Sequence, residues 1–201
     1  MALTVTKIPA AECRRTLWKN GGGWTTEVAI EPAGAHLGGD FDWRVSIADI
    51  EQDGPFSIFP GVERDLFMLR GNGIELNIDG SAQRLDRALQ RIHFSGDSEV
   101  HCRLLNGATR DFNVMVRARS IVAYIAATEP LQDLAIAGPI GSQWLVHCCS
   151  GDATLALDGQ TIRLNAGDSA RIDSPDNAGE FSISSTGRLL VVRFTPRGSE
   201  H

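Results

Sequence analysis

Long apolar runs, clustered cysteines and an excess of positive charge are all missing from this sequence. No apolar stretch approaches the roughly 18 residues that a membrane-spanning helix requires. Lysine and arginine total 19 against 25 aspartates and glutamates, a net charge of −6, so the chain lacks the basic footprint that duplex nucleic acid demands. The opening MALTVTKIPA has neither a basic head nor an apolar core, which predicts no export signal and a cytoplasmic address. The four cysteines, Cys13, Cys102, Cys148 and Cys149, form no CxxC pair. In a reducing compartment they read as small buried hydrophobes. The five histidines form neither HxH nor HExxH, so no metal and no cofactor are expected. There is no GxSxG elbow, and the single tyrosine, Tyr124, sits in an apolar stretch that reads as core.

Long helical stripes are absent too; the best candidate, around Pro9–Leu17, is about two turns. What the chain has instead is short period-two alternation between its 21 glycines and 8 prolines. Trp43, Val45 and Ile47 alternate with Arg44, Ser46 and Ala48. Ile74, Leu76 and Ile78 alternate with Glu75, Asn77 and Asp79. Phe112, Val114 and Val116 alternate with Asp111, Asn113 and Met115. Each run is a strand with two distinct faces, and the chain reads as all-β.

A weak internal repeat runs through it. RGNGIELNIDGSAQRL from Arg70 and SGDATLALDGQTIRL from Ser150 both read glycine, strand, Asp-Gly turn, strand. Asp79-Gly80 and Asp158-Gly159 are strong hairpin signals. Gly96-Asp97 matches Gly167-Asp168, and Val114–Arg117 matches Leu190–Arg193, with spacings that drift by loop length. A duplicated β module fits this pattern. Pro130, Gly138, Pro139 and Gly141 mark the seam, which gives modules at 1–128 and 129–201, with N-terminal strands completing the second.

Three segments carry polar residues that bear on chemistry. In WKNGGGWTTEVAIEP, the triple glycine after Lys19 and Asn20 marks backbone with positive φ or a close approach. No Gly-Lys-Ser/Thr follows, which excludes a P-loop, and no βαβ pattern surrounds it, which excludes a dinucleotide fingerprint. It reads either as a hairpin turn or as the lip of a pocket in which Lys19 and Asn20 offer donors to an anion. In the second segment, Arg44 and Ser46 share a face. If that face points inward, Arg44 needs a partner, and Glu27 and Asp111 are the candidates. Arg64 follows the Pro60-Gly61 turn and is suited to a two-bond grip on a carboxylate. In the third, Asn113 both donates and accepts, which suits an amide, formyl or carboxyl group.

Together these strings resemble the HutD/Ves family: Trp18-Lys19-Asn20-Gly21-Gly22-Gly23 with Thr25 and Glu27; Trp43-Arg44 with Ser46; Asp53-Gly54-Pro55-Phe56-Ser57 with Pro60-Gly61 and Arg64; and Asp111-Phe112-Asn113-Val114-Met115. The resemblance implies a duplicated cupin, a bicupin of two β-barrel or jelly-roll modules. It also implies a bacterial protein that binds a small histidine-pathway metabolite, such as N-formylglutamate or urocanate, and limits pathway overactivity. Ves-type relatives are linked to stress or cold, so membership does not fix the ligand. Metal cupins place HxH and Glu before the glycine that Gly71 resembles. Here that stretch reads Phe59–Asp65 without histidine and with Arg64, which points to an anion in place of a cation.

The resulting expectation is a non-catalytic binding protein whose partner is a small carboxylate metabolite. Arg64 and Lys19 would supply positive charge, with Arg44 nearby. Asn20 and Asn113 would orient polar groups, Thr25 and Ser46 would offer hydroxyls, and Trp24 and Phe67 would wall the pocket. Glu27 and Asp111 would be structural partners of arginine or, in an alternative reading as a metal-independent isomerase or hydrolase, its general base. A second alternative is a protein-binding regulator with a vestigial pocket. A homodimer is the assembly that analogy with cupins implies.

Overall fold

A computed structural model of the chain describes residues 3–36, 39–174 and 180–198. In chain order the strands are β1 (Thr4–Ile8), β2 (Arg14–Leu17), β3 (Gly23–Glu31), β4 (Trp43–Ile50), β5 (Gly54–Pro55), β6 (Val62–Gly71), β7 (Ile74–Ile78), β8 (Ser81–Leu85), β9 (Arg91–Ser95), β10 (Val100–Leu104) and β11 (Thr109–Arg117). There follow β12 (Ile121–Thr128), β13 (Leu131–Ala137), β14 (Gln143–Cys148), β15 (Asp152–Leu157), β16 (Gln160–Asn165), β17 (Ser169–Asp173), β18 (Glu180–Ser185) and β19 (Leu189–Pro196). The short helix expected around Pro9–Leu17 shrinks to one 3-10 turn, Ala10–Glu12. Its second half is β2, which pairs with β3 from Arg14↔Glu27 to Leu17↔Trp24, so sheet pairing overrides a weak local preference.

The chain divides into two compact units. One comprises Met1–Cys13 with Ser120–His201; the other is Arg14–Arg119. In the first, β1-β17-β14-β19-β12 form one antiparallel sheet and β13-β18-β15-β16 another. In the second, the sheets are β2-β3-β4-β11-β6-β9 and β5-β10-β7-β8. The prolines and glycines at 130–141 flank β13 inside the first unit.

The two units repeat the same strand order. β12-β19-β14-β17 stands where β4-β11-β6-β9 stands in the other, and Gly151 stands where Gly71 does. The Asp-Gly hairpins expected at both sites are present: Asp79 and Gly80 have φ of 48° and 88°, Asp158 and Gly159 have 47° and 75°. Two successive positive φ values match the twist of the flanking strands. Gly96-Asp97 and Gly167-Asp168 are not equivalent, however. The first pair follows β9 and the second precedes β17, so the likeness is one of turn chemistry alone.

Core packing follows the period-two patterns. In the unit Arg14–Arg119, Ile50, Leu66 and Met68 of the six-stranded sheet meet Ile74, Leu76, Val100 and Cys102 of the other sheet. A second apolar cluster of Phe41, Val62 and Met115 packs with Ile30 and Phe59. In the companion unit, Trp144, Val146, Leu155, Leu164, Phe181 and Val191 share one apolar cluster, with Trp144 and Phe181 edge to face at 5.6 Å. Cys102 and Cys148 are buried as expected, Cys13 and Cys149 only partly, and all four are free thiols. Tyr124 is not core: it is 44% exposed on the edge strand β12, with the Arg193 guanidinium 4.4 Å over its ring.

Candidate functional site

Strand alternation decides which side chains meet. On β11, Asp111, Asn113 and Met115 share a face, and register carries that face onto the neighbours. Asn113 lies between Ser46 and Leu66, Met115 between Arg44 and Arg64, and Asp111 between Ala48 and Met68. Leu66, Met68 and Ala48 belong to the inner apolar cluster, so the polar residues in the same rows also face inward. A β-bulge at Val28 keeps Glu27 opposite Ser46, at the edge of the same row. The interior of this unit thus carries a polar belt between apolar layers.

Half of that belt is internally satisfied. Arg44 is 5% exposed; its Nε donates to Glu27 Oε2 at 2.9 Å and its Nη1 donates to Ser46 Oγ at 3.0 Å. Of the two carboxylates expected as candidates for Arg44, Glu27 is the one it engages. Thr25 Oγ1 accepts from Trp18 Nε1 at 2.7 Å.

The other half is not satisfied. Arg64 is likewise 5% exposed, inside β6. Its guanidinium lies 4.9 Å from the Phe94 ring, 5.2 Å from Phe56 and 5.6 Å from Phe59, and Nη1 reaches only the Ser57 carbonyl at 3.4 Å. Among the described residues, Arg64 Nε, both Asp111 carboxylate oxygens and Asn113 Oδ1 are buried without a hydrogen-bond partner. Each such atom costs about 1–3 kcal/mol unless something fills it. Burial pulls the Arg64 guanidinium down to about 10, with Asp111 opposing and Arg44 adding to the shift. Burial pushes the Asp111 carboxyl up to about 7, against the pull of Arg64 and with Asp49 adding to the rise. A buried carboxyl with no hydrogen-bond donor and a guanidinium caged by aromatic rings are thus the groups of this belt that the chain itself leaves unsatisfied.

Four predicted site residues lie elsewhere. Lys19 and Asn20 are exposed in the turn between β2 and β3, and Asn20 Oδ1 accepts from Gly22 N at 3.0 Å. The triple glycine is structural here: Gly21 has φ of 71°, and a Cβ on Gly23 would fall on the Asp49 carbonyl. Trp24 pairs with Asp49 and stacks under Arg15 at 4.6 Å, on the face opposite Thr25 and Glu27. Phe67 is paired with Phe112, buried on the face opposite Arg64 and Leu66. Neither Trp24 nor Phe67 walls the polar belt. A cleft of about 280 Å³ beside Trp24's sheet face, lined by Arg15, Asp49, Arg70 and Arg110, is an ion-pair cluster. Asp49 accepts from Arg110 at 2.6 and 2.9 Å and from Arg15 at 3.2 Å. Conversely, sequence reading missed Phe56, Phe59 and Phe94 around Arg64, because two of them lie in a loop where no periodicity applies.

The family model described as HutD matches residues 10–191. The chain belongs to the HutD family. An uncharacterized 21.2 kDa protein from the hutC 3′ region of Pseudomonas putida is 34% identical over 192 residues, covering 94% of this chain and 96% of that one. A protein named Ves from Escherichia fergusonii is 39% identical over 110 residues, 54% of this chain and 56% of its own. Among solved structures, HutD from Pseudomonas fluorescens SBW25 superposes with a TM-score of 0.84 at 32% identity, covering 97% of this chain and all of that one. A conserved protein of unknown function from Pseudomonas aeruginosa PAO1 gives 0.86 at 31%, with the same coverage. More distant likenesses establish the cupin fold alone, among them a cupin 2 conserved barrel protein from Leptotrichia buccalis with a TM-score of 0.57 at 11% identity. The association of this HutD-family chain with histidine utilisation comes with its membership.

Proposed function

We propose that the unit Arg14–Arg119 binds a small carboxylate metabolite of the N-formylglutamate or urocanate type and thereby modulates histidine utilisation. The observation that carries this reading is Arg64: a guanidinium enclosed by three aromatic rings, with Nε unengaged, inside a domain that spends its other buried arginine on an ion pair. A ligand carboxylate accepts from Arg64, and Asn113 Oδ1 takes a donor from the ligand's amide or ring nitrogen. Arg44, Glu27 and Ser46 form the satisfied wall that holds the belt in place.

Titration calorimetry with N-formylglutamate and urocanate tests this. Arg64→Met keeps volume and removes the charge, and weakens binding at least about tenfold, since a charge-assisted bond contributes roughly 1.5–3 kcal/mol. Equal affinity in both proteins removes Arg64 from the site.

One observation favours a metal-independent enzyme: Asp111, a buried carboxyl pushed up to about 7, suits a general base. Against it, Glu27 is held by Arg44, and burial pushes the Cys102 thiol up to about 12, so the belt offers neither a free second acid nor a nucleophile. Incubating the protein with either metabolite and following it by NMR yields no turnover on the binding reading.

A further inference from the structure

The charge balance of the belt carries a consequence for how an anion enters. Its interior holds two guanidiniums, Arg44 and Arg64, and two carboxyls, Glu27 and Asp111. Glu27 and Arg44 neutralise one another at 2.9 Å. Arg64 therefore has one positive charge to share, and Asp111 is the carboxyl that already feels it, without an ion pair between them. A second negative charge beside an ionised Asp111 would leave the buried belt at net −1, with too few donors to stabilise it. Buried like charges of this kind do not both stay ionised; one takes a proton.

We propose that anion binding on Arg64 is proton-coupled: a carboxylate ligand enters with one proton, which Asp111 takes up, and the neutral Asp111 carboxyl then donates its O–H to the ligand. This rests on the binding reading above and adds a role for Asp111 as the group that sets its pH dependence. Among the described residues, the titratable groups around it are poorly placed to take the proton instead, Asp53 beside Cys102 being exposed and engaged by Leu104 N. On β11 the inward neighbours are Thr109, Asn113 and Met115, none of which titrates. On β4 the inward residues are Arg44, Ser46 and Ala48, while Asp49 on the reverse face is held below its ordinary range by Arg110, Arg15 and Arg70. On β6 the only titratable neighbour is Arg64. On β10, Cys102 stays a thiol, and on β3 Glu27 is occupied by Arg44. Asp111 itself has both oxygens free, so a proton on either creates a donor without breaking an existing bond. The step balances: one ligand anion and one proton enter, and the net charge of the belt does not change.

Calorimetry of the full chain with urocanate, whose single carboxylate makes it a monoanion at pH 8, run at pH 8 in phosphate and in Tris, measures the protons taken up from buffers of different ionisation enthalpy. The expected result is about one proton per anion at pH 8, falling toward zero below pH 6. Affinity is expected to weaken about tenfold for each pH unit above 7, as one coupled proton requires. In Asp111→Asn, a neutral isostere, proton uptake and this pH dependence are both lost. Binding without proton uptake at pH 8 overturns the coupling and leaves the binding reading standing; no binding at any pH overturns both. Infrared spectroscopy provides a ligand-free check. A protonated-carboxyl band present in the wild type at pH 6 and missing in Asp111→Asn supports the proposal, and its absence at pH 5 overturns it.

Discussion

The two units of this chain share a strand order and differ in what fills them. Arg64 precedes Gly71 by as many residues as Trp144 precedes Gly151, so in the repeated sheet an indole stands where the other unit has a guanidinium. Following the register outward, Asn113 and Asp111 are matched by Val191 and Leu189, and Ser46 by Ala126. One interior is mostly apolar, with Trp144 edge to face on Phe181 and Arg193 in the row beside it. The other is polar and incompletely bonded. Orphaned polar atoms also occur in the unit of Trp144, at its Nε1, at Arg193 Nε in the neighbouring row position and at Thr128 Oγ1 farther along β12, but no carboxylate is among them. A duplicated frame thus carries two fillings: one copy is largely apolar, while the other holds the buried charge on which the proposed binding rests.

The largest expected effect sets the two copies directly against each other. Trp144→Ala opens a cavity in a sealed core and costs about 3–5 kcal/mol in chemical denaturation. Arg64→Met replaces an under-bonded charge by an apolar chain of similar length and is expected to change stability by no more than about 1–2 kcal/mol, in either direction, while the proposed binding weakens at least about tenfold. Equal, large losses in both variants would break the comparison.

The shared frame gives the next effect. Gly71 has φ of 110° and Gly151 has 67°, and a Cβ at either would press on backbone, at 2.5 Å from the Ala108 carbonyl or 2.8 Å from Gly187 N. Gly71→Ala and Gly151→Ala each lower stability by at least about 1–3 kcal/mol, measured by thermal unfolding. Gly159→Ala, with φ of 75° and open space around it, costs about 1–2 kcal/mol through backbone strain alone.

Opposite pH responses sharpen the contrast. His147, buried against Ser169 with 2.9 Å between Nδ1 and Oγ, is pulled down to about 4 by burial, with Asp168 opposing. The unfolded chain binds that proton near pH 6.5, so stability falls as pH drops from about 6.5 to 4. Asp111 is shifted the other way, from an ordinary value of 3.8 to about 7, so its folded form holds the proton longer and stability falls as pH rises from about 4 to 7. The two windows overlap and their slopes largely cancel, so in denaturation midpoints measured across that range His147→Gln unmasks the loss of stability with rising pH and Asp111→Asn unmasks the loss with falling pH.

Much of this was legible in the sequence. Alternation alone put Arg44 and Ser46 on one face and Asp111, Asn113 and Met115 on another, and both assignments hold because each strand has one apolar side that must be buried. The same parity argues against Trp24 beside Thr25, and against Phe67 three residues from Arg64, as members of one wall. That signal is present in the sequence, but the aromatic character of the two residues masked it. Neither the bulge at Val28 nor the loop that brings Phe56 and Phe59 over Arg64 has a periodic signature. The Lys19-Asn20 turn looked like a lip because glycine runs serve both turns and ligand approaches; only the crowding of Gly23 against Asp49 tells them apart.

A crystal soaked with N-formylglutamate is the most direct test of the claim that Arg64 makes the unit Arg14–Arg119 a carboxylate receptor. The account predicts a carboxylate within hydrogen-bond distance of Arg64 Nε, with Asp111 and Asn113 as its other polar neighbours. A ligand seated in the Trp144 unit, or on the sheet face that carries Trp24 and Phe67, would contradict it.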